Sequence, residues 1–329
     1  MKAVVALAAV AVLFALGLLG GVPGLGWVFG VAIPYAALAV CVTGLAVRVL
    51  RWANVPVPFR IPTTCGQEKS LPWIRRSRLD NPATAVGVAG RMALEILAFR
   101  SLFRNTRARL VDGDRLVYRT DLTLWLGALA MHWALLIVLI RHLRLLTEPV
   151  PGVVTLVERL DGFLQIGLPG FQITTMVFLA AVTYLLLRRF VNAQVRYISL
   201  AADYFPLFLL LAIGLSGFTL RHLLTTDVAA IKQLALGLVA FAPVVPASIS
   251  PLFYAHLFLV STLLAYLPFS KLVHMPGVFL SPTRNLANNN RAVRHVNPWD
   301  YPVKVHTYEE YEDELREKMV AAGIPVERS

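Results

Sequence analysis

Six runs of predominantly apolar residues, each near the roughly 20 that cross a hydrocarbon core, leave this 329-residue chain few folds to choose from. They fall at Val4–Leu19, Trp27–Leu50, Leu122–Leu146, Phe171–Leu187, Tyr204–Leu224 and Leu252–His274. A segment in lipid must satisfy its peptide groups internally, so each run is expected to be a helix. Only 15% of the residues are charged and mean hydropathy is +0.65, too apolar for a water-soluble domain. The expected fold class is an all-α integral membrane protein with six transmembrane helices. The first run follows Met1-Lys2 and is read as a retained helix, since it outlasts a signal h-region and no A-x-A site follows; a secretory signal is the alternative.

Basic residues set the orientation. The loop Arg51–Asp121 has more than twice as many Lys and Arg as Asp and Glu, and Arg188, Arg189 and Arg196 fill the next loop on that side. The opposite connections, Thr147–Gly170 and Thr225–Ser250, carry only Arg159 and Lys232. By the positive-inside rule the chain is multi-pass in the cytoplasmic (inner) membrane with both termini cytoplasmic. The net charge of +12 is therefore chiefly a topology signal, and no nucleic-acid-binding motif accompanies it.

In the long loop, Pro56-Val-Pro-Phe-Arg-Ile-Pro62 is too proline-rich to be helical throughout. Asn81-Pro82 reads as the cap and first turn of a helix running to about Asn105, which mixes Met92, Leu94, Ile96, Leu97, Leu102 and Phe103 with Arg91, Arg100, Arg104 and Arg107. Such a helix suits the headgroup layer or a partner's surface. A short hairpin is expected around Asp112-Gly113. In the tail, Asn288-Asn-Asn290 and Asn297-Pro298-Trp299 read as irregular chain. Thr307 and Glu310 make a capping-box pattern before Tyr311–Val320, a solvated helix or one that docks a cytoplasmic subunit. Cys41 reads as a packing residue and Cys65 as an inert thiol or a partner contact. No C-x-x-C-H and no cluster-binding cysteine run is present, so covalent haem and an iron–sulfur centre held by this chain are not expected.

Within or at the edge of the apolar runs stand four histidines, His132 and His142 on the third, His256 and His274 on the sixth. An imidazole in lipid must find a partner, which makes each a candidate for function. At helical rise, His132 and His142 lie about 15 Å apart along one helix, and an unbroken helix would separate His256 and His274 by about 27 Å. Pro268 and Pro276 loosen that second helix, and tilt absorbs part of the remaining mismatch. The third run travels outward and the sixth inward, so the pairs are His142 with His256 on the outer side and His132 with His274 on the inner side. Two imidazoles from facing helices at two depths suit two haem irons. A proton relay is the rival reading, but it recruits intramembrane acids, and Asp203 lies only near the interface.

The spacings of ten and eighteen between these histidines resemble those of the gamma subunit of respiratory nitrate reductase, a five-helix dihaem cytochrome b. On that resemblance the core occupies residues 27–275, including the cytoplasmic loop 51–121, with 1–26 an extra amino-terminal helix and 276–329 a cytoplasmic tail. The segments Pro58-Phe-Arg-Ile-Pro-Thr-Thr-Cys-Gly-Gln-Glu-Lys-Ser-Leu-Pro-Trp73, Phe269-Ser-Lys-Leu-Val-His-Met-Pro-Gly277 and Ser281-Pro-Thr-Arg-Asn285 resemble a narrower family, the DsrM cytochrome b subunits of the DsrMKJOP complexes of dissimilatory sulfur metabolism.

The resemblance implies an electron-transfer subunit with two haem b groups, linking menaquinone or ubiquinone to a DsrK-like iron–sulfur subunit, with DsrJ, DsrO and DsrP completing the assembly. It places a quinone near the outer haem beside His142, where Arg141, Arg144, Arg221 and His222 share the outer depth. The arginines are expected to hold haem propionates or lipid phosphates, and His222 is the candidate for quinone contact or proton transfer. The nitrate-reductase pattern has a lysine on its third helix; here the fourth run has none, and Gln172 and Gln165 are the nearest polar residues. A haem-free membrane anchor and a transporter are the alternative functions; the first lacks haem, and the second calls for repeated interrupted helices.

Overall fold

The computed structural model describes residues 1–55, 77–113, 115–162, 172–288 and 305–327. The proline-rich run 56–62, the 58–73 segment with Cys65, Gln165, and Asn297-Pro298-Trp299 lie outside the described residues. In chain order, α1 (Lys2–Leu18) ends in a 3-10 turn, and a π turn at Val28–Ala32 opens α2 (Ile33–Ala53). Next come α3 (Ala85–Ala98), α4 (Arg100–Phe103), the antiparallel strands β1 (Thr106–Val111) and β2 (Arg115–Thr120), and α5 (Leu122–Leu146). Then follow α6 (Gly152–Gly162), α7 (Ile173–Val191), α8 (Ala193–Ile198), α9 (Ala201–His222), α10 (Val228–Val239) and α11 (Pro251–Tyr266). Two 3-10 turns lead to α12 (His274–Leu280), α13 (Pro282–Asn285) and α14 (Tyr308–Ala321).

Six of these segments are long and apolar enough to span a bilayer: Lys2–Gly21, Val28–Ala53, Leu122–Leu146, Ile173–Val191, Ala201–His222 and Pro251–Phe269. Their outward leucines and valines, among them Leu38, Leu126 and Leu139, remain exposed, which suits lipid as solvent and would be a liability in water. The chain is a multi-pass helical membrane protein.

The spans pack in a row. Helix α5 lies on α7, α7 on α9 and α9 on α11, while α1 packs against both α9 and α11. Met131, Ala134, Phe178, Val182 and Leu210 fill the α5–α7–α9 seam, and Val10, Leu209 and Leu259 join α1, α9 and α11. Small residues permit the approach, as expected where lipid supplies no hydrophobic drive between helices. A Cβ on Gly17 would stand 2.6 Å from the Ala255 Cα, and one on Gly127 would stand 2.6 Å from the Tyr184 ring. Helices α5 and α11 are not among the closely packed pairs of the described residues.

The sequence reading is refined at two points. The sixth helix is interrupted before His274, as Pro268 suggested: it ends at Tyr266, and two 3-10 turns follow, separated by extended Ser270. Pro268 has no amide hydrogen to continue the ladder, and the Ser270 hydroxyl accepts from the Leu272 amide at 3.2 Å to start the next turn. Helix α3 is not opened by Asn81-Pro82. Thr84 Oγ1 accepts from the Gly87 amide at 3.2 Å, whereas the Pro82 carbonyl takes the Asn288 amide at 2.7 Å and the Asn81 side-chain oxygen takes the Asn288 side-chain amide. The last carbonyls of α3, Leu97 and Ala98, accept indole N–H groups of Trp133 and Trp125 at 3.0 and 2.7 Å, which puts its end against α5.

The hairpin forms where the sequence placed it, with Asp112 and Gly113 at φ of 52° and 89° making the turn. The chain divides into two units, residues 1–48 with 90–279, and 49–89 with 280–329. In the second, Thr307 and Glu310 close a capping box on α14, at 3.2 and 3.1 Å. Buried Glu312 accepts from the Glu327 amide at 2.7 Å and from Arg316 at 3.2 Å.

Candidate functional site

Helix α5 carries His132 and His142 ten residues apart, about 15 Å along one rod. Opposite His132 stands His274, at the start of α12 beyond the break, with ring centroids 5.9 Å apart and planes crossed at 82°. Opposite His142 stands His256 on α11, at 6.5 Å and 14°. The break after Tyr266 is what reconciles the two spacings, because it removes His274 from a helix that would have carried it too far. Lys271 steadies this segment: its ammonium binds Asp203 at 2.7 Å and its carbonyl lies 3.0 Å from His274 Nδ1.

Each ring has one nitrogen already engaged. His132 Nδ1 lies 2.8 Å from the Ala128 carbonyl, and His142 Nδ1 lies 2.7 Å from the Val138 carbonyl, four residues back on the same helix. A carbonyl only accepts, so Nδ1 carries the proton in these rings and in His274, and Nε2 keeps the lone pair. His256 differs. Its Nδ1 meets Ser216 Oγ at 2.9 Å, and that hydroxyl donates onward to the Ala212 or Ile213 carbonyl, at 2.8 or 3.0 Å. The next residue, Gly217, gives the ring its room: a Cβ there would sit 3.1 Å from His256 Cε1.

The His142 end of the bundle is framed by ion pairs that the sequence reading missed. Arg141 Nη1 donates to Asp161 Oδ2 at 2.6 Å, and Arg144 Nη1 donates to Glu158 Oε2 at 2.9 Å. Both acids lie on α6, a helix the sequence reading passed over as a connection. The signal was present: arginines three apart on α5 and acids three apart on the next segment match in antiparallel order. Thr174 completes the first pair, its amide and hydroxyl reaching Asp161 at 3.0 and 2.7 Å. Gln172 is buried one residue before α7. Arg221 is exposed at the end of α9 and acts electrostatically on Arg141 and His142. His222 is buried beside it, its ring 4.9 Å from that of Phe218. At the other end of the bundle Arg188 pairs with Asp121 at 2.6 Å, and Asp121 also accepts from the Leu124 amide to cap α5.

Two imidazoles bound to one metal ion at about 2 Å each place their ring centres roughly 6 Å apart. The observed separations of 5.9 and 6.5 Å fit that figure, and each ring retains one nitrogen lone pair to offer. Among the described residues no group of three or more His, Cys, Asp or Glu gathers as a metal site.

A six-span bundle with such imidazole pairs between α5 and the α11 and α12 segments defines a membrane fold of the cytochrome b class. The sequence profile of the family described as nitrate reductase gamma subunit matches residues 114–295, which contain all four histidines. The chain is 46% identical over 283 residues to an Hdr-like menaquinol oxidoreductase cytochrome b-like subunit of Archaeoglobus fulgidus, covering 84% of each chain. It is 40% identical over 276 residues to the protein of the same description in Archaeoglobus profundus, covering 82% of each. The chain belongs to the nitrate reductase gamma subunit family.

Proposed function

We propose that this chain is the membrane electron-transfer subunit of an oxidoreductase complex, holding one b-type haem between His132 and His274 and a second between His142 and His256. The reading rests on the two imidazole pairs, spaced as one metal ion between each pair requires and stacked at two depths of one bundle. Haem bound at these positions supplies one-electron carriers, with potentials set by the axial ligands and their surroundings. The chain's own contribution is to fix the rings. Backbone carbonyls and Ser216 hold Nδ1, which sets the tautomer and directs ligation to Nε2.

The substrate on the outer side is a quinol, and the descriptions of the two Archaeoglobus relatives favour menaquinol over ubiquinol. His222 and Gln172 are the candidates for contact with it. Arg141 and Arg144 are each committed in part to an acid of α6, so Arg221 and the remaining donors of Arg144 are best placed for haem propionates or lipid phosphates. The partner on the inner side is a cytoplasmic iron–sulfur subunit of the DsrK kind. The narrower assignment is DsrM, with DsrJ, DsrO and DsrP as the further subunits. It is supported by the 58–73 and 269–285 segments and by the "Hdr-like" description of the relatives.

The test is haem quantification on the purified full-length chain together with four single substitutions. Two haems per chain are expected. His132→Ala and His274→Ala should each remove the same haem, and His142→Ala and His256→Ala the other. Crossed losses overturn the pairing, and a colourless chain overturns the function.

A further inference from the structure

Phe99, against the His132–His274 pair, is one of three non-glycine residues with positive φ among the described residues. It sits at φ 50°, ψ 47°, a left-handed conformation that bulky residues avoid, and it forms the break between α3 and α4. Its surroundings hold it there from both sides. The two carbonyls before it, Leu97 and Ala98, take the indole N–H groups of Trp133 and Trp125. After it, the Ser101 amide and hydroxyl bind the Glu95 carboxylate across the break, at 3.1 and 2.6 Å, and the Phe103 ring packs on Trp125 at 5.1 Å. Strain of this kind persists only where neighbours over-determine it, and it gathers where geometry matters for function. The result is that the Phe99 ring lies against His132, centroids 5.0 Å apart and planes at 88°.

We propose that Phe99 is a positioning residue for His132, holding the inner imidazole planes crossed and making the two sites electronically unequal. The proposal rests on the haem reading above. The inner planes cross at 82°, while the outer pair, framed by Ser216 and Gly217, lies at 14°. An axial imidazole donates π density to whichever iron d orbital faces its ring. Parallel rings raise one of the two available orbitals, whereas crossed rings raise both equally and leave them nearly degenerate. A low-spin ferric centre with crossed rings therefore gives the more anisotropic electron paramagnetic resonance (EPR) spectrum. Two chemically identical ligand sets are thus expected to give two different signals.

The experiment is frozen-solution EPR of the oxidised, haem-loaded full-length chain, with a redox titration of each haem. The wild type should show two low-spin signals, one strongly anisotropic and lost in His132→Ala. Phe99→Gly removes the ring while suiting the left-handed backbone, so the fold is retained. It should change the anisotropic signal and the midpoint potential of that haem alone, and Phe99→Tyr should restore both. If Phe99→Gly leaves both signals and both potentials as in the wild type, the role of Phe99 is overturned and the haem reading stands. A wild-type chain without haem overturns the haem reading, and this proposal with it.

Discussion

Asp161 illustrates what one carboxylate does in a poor dielectric. Its two oxygens accept from the Thr174 amide, the Thr174 hydroxyl and Arg141, and its side chain is only 2% exposed, against 10% for that of Arg141. Removing one member of such a pair strands the other's charge, at a cost of about 3–5 kcal/mol, whereas replacing both with apolar groups of similar size is often neutral. Asp161→Ala should therefore destabilise the chain by about that amount in an unfolding titration in mixed micelles. The double variant Asp161→Leu with Arg141→Met should recover most of the loss; if it is no more stable than Asp161→Ala alone, the pair is not the source. At this scale the histidines were legible from their positions and the direction of each span. Ser216 was not, because a lone serine on an apolar helix reveals nothing until the neighbouring helix is in place; Asp161 was legible only together with Glu158, as acids spaced to match Arg141 and Arg144, a pattern the sequence reading passed over.

At the scale of elements, the described residues of the 147–170 and 225–250 connections prove to hold helices, α6 and α10. Helix α10 packs Leu234 into a cluster with Phe29, Val31, Ile249 and Tyr254, and the Tyr35 hydroxyl donates to its Leu238 carbonyl at 2.8 Å. Asp227 starts it, accepting from the Ala230 amide at 3.0 Å and from the Ser248 hydroxyl at 2.8 Å. These bonds, the Ala230 amide first, hold its carboxyl below its ordinary value of 3.8. A folded pKa that is depressed gives stability that is complete above the unfolded value and is lost as the pH falls through the folded one. The first turn of α10 should therefore fray in acid. Hydrogen exchange at Ala230 and Ile231, corrected for intrinsic rates, should rise below the ordinary aspartate range, and Asp227→Asn should abolish that pH dependence. The sequence reading saw neither α10 nor α6, since both are shorter than a span. It also placed the opening of α3 at Asn81-Pro82, a plausible cap whose oxygens bind Asn288 instead, a partner more than 200 residues away. Local propensity marks where a helix can begin; long-range hydrogen bonds decide between neighbouring candidates.

At the scale of the whole molecule, the six-span architecture was legible because lipid imposes one length and one solution for the backbone. The excess of Arg and Lys in residues 51–121 and 188–196 predicts that this side faces the cytoplasm. A fluorescent reporter fused after Ser329 should then be active, as the cytoplasm requires, and one inserted in the 147–170 or 225–250 connection should be dark; the reverse pattern would overturn the proposed orientation. On one flank of the bundle the two imidazoles ride a single uninterrupted rod, so helical rise alone fixes their spacing. On the other flank Pro268 and Ser270 divide them between separate segments. A displacement of the segment that carries His274 can therefore leave His256 where it stands, whereas His132 and His142 can move only together.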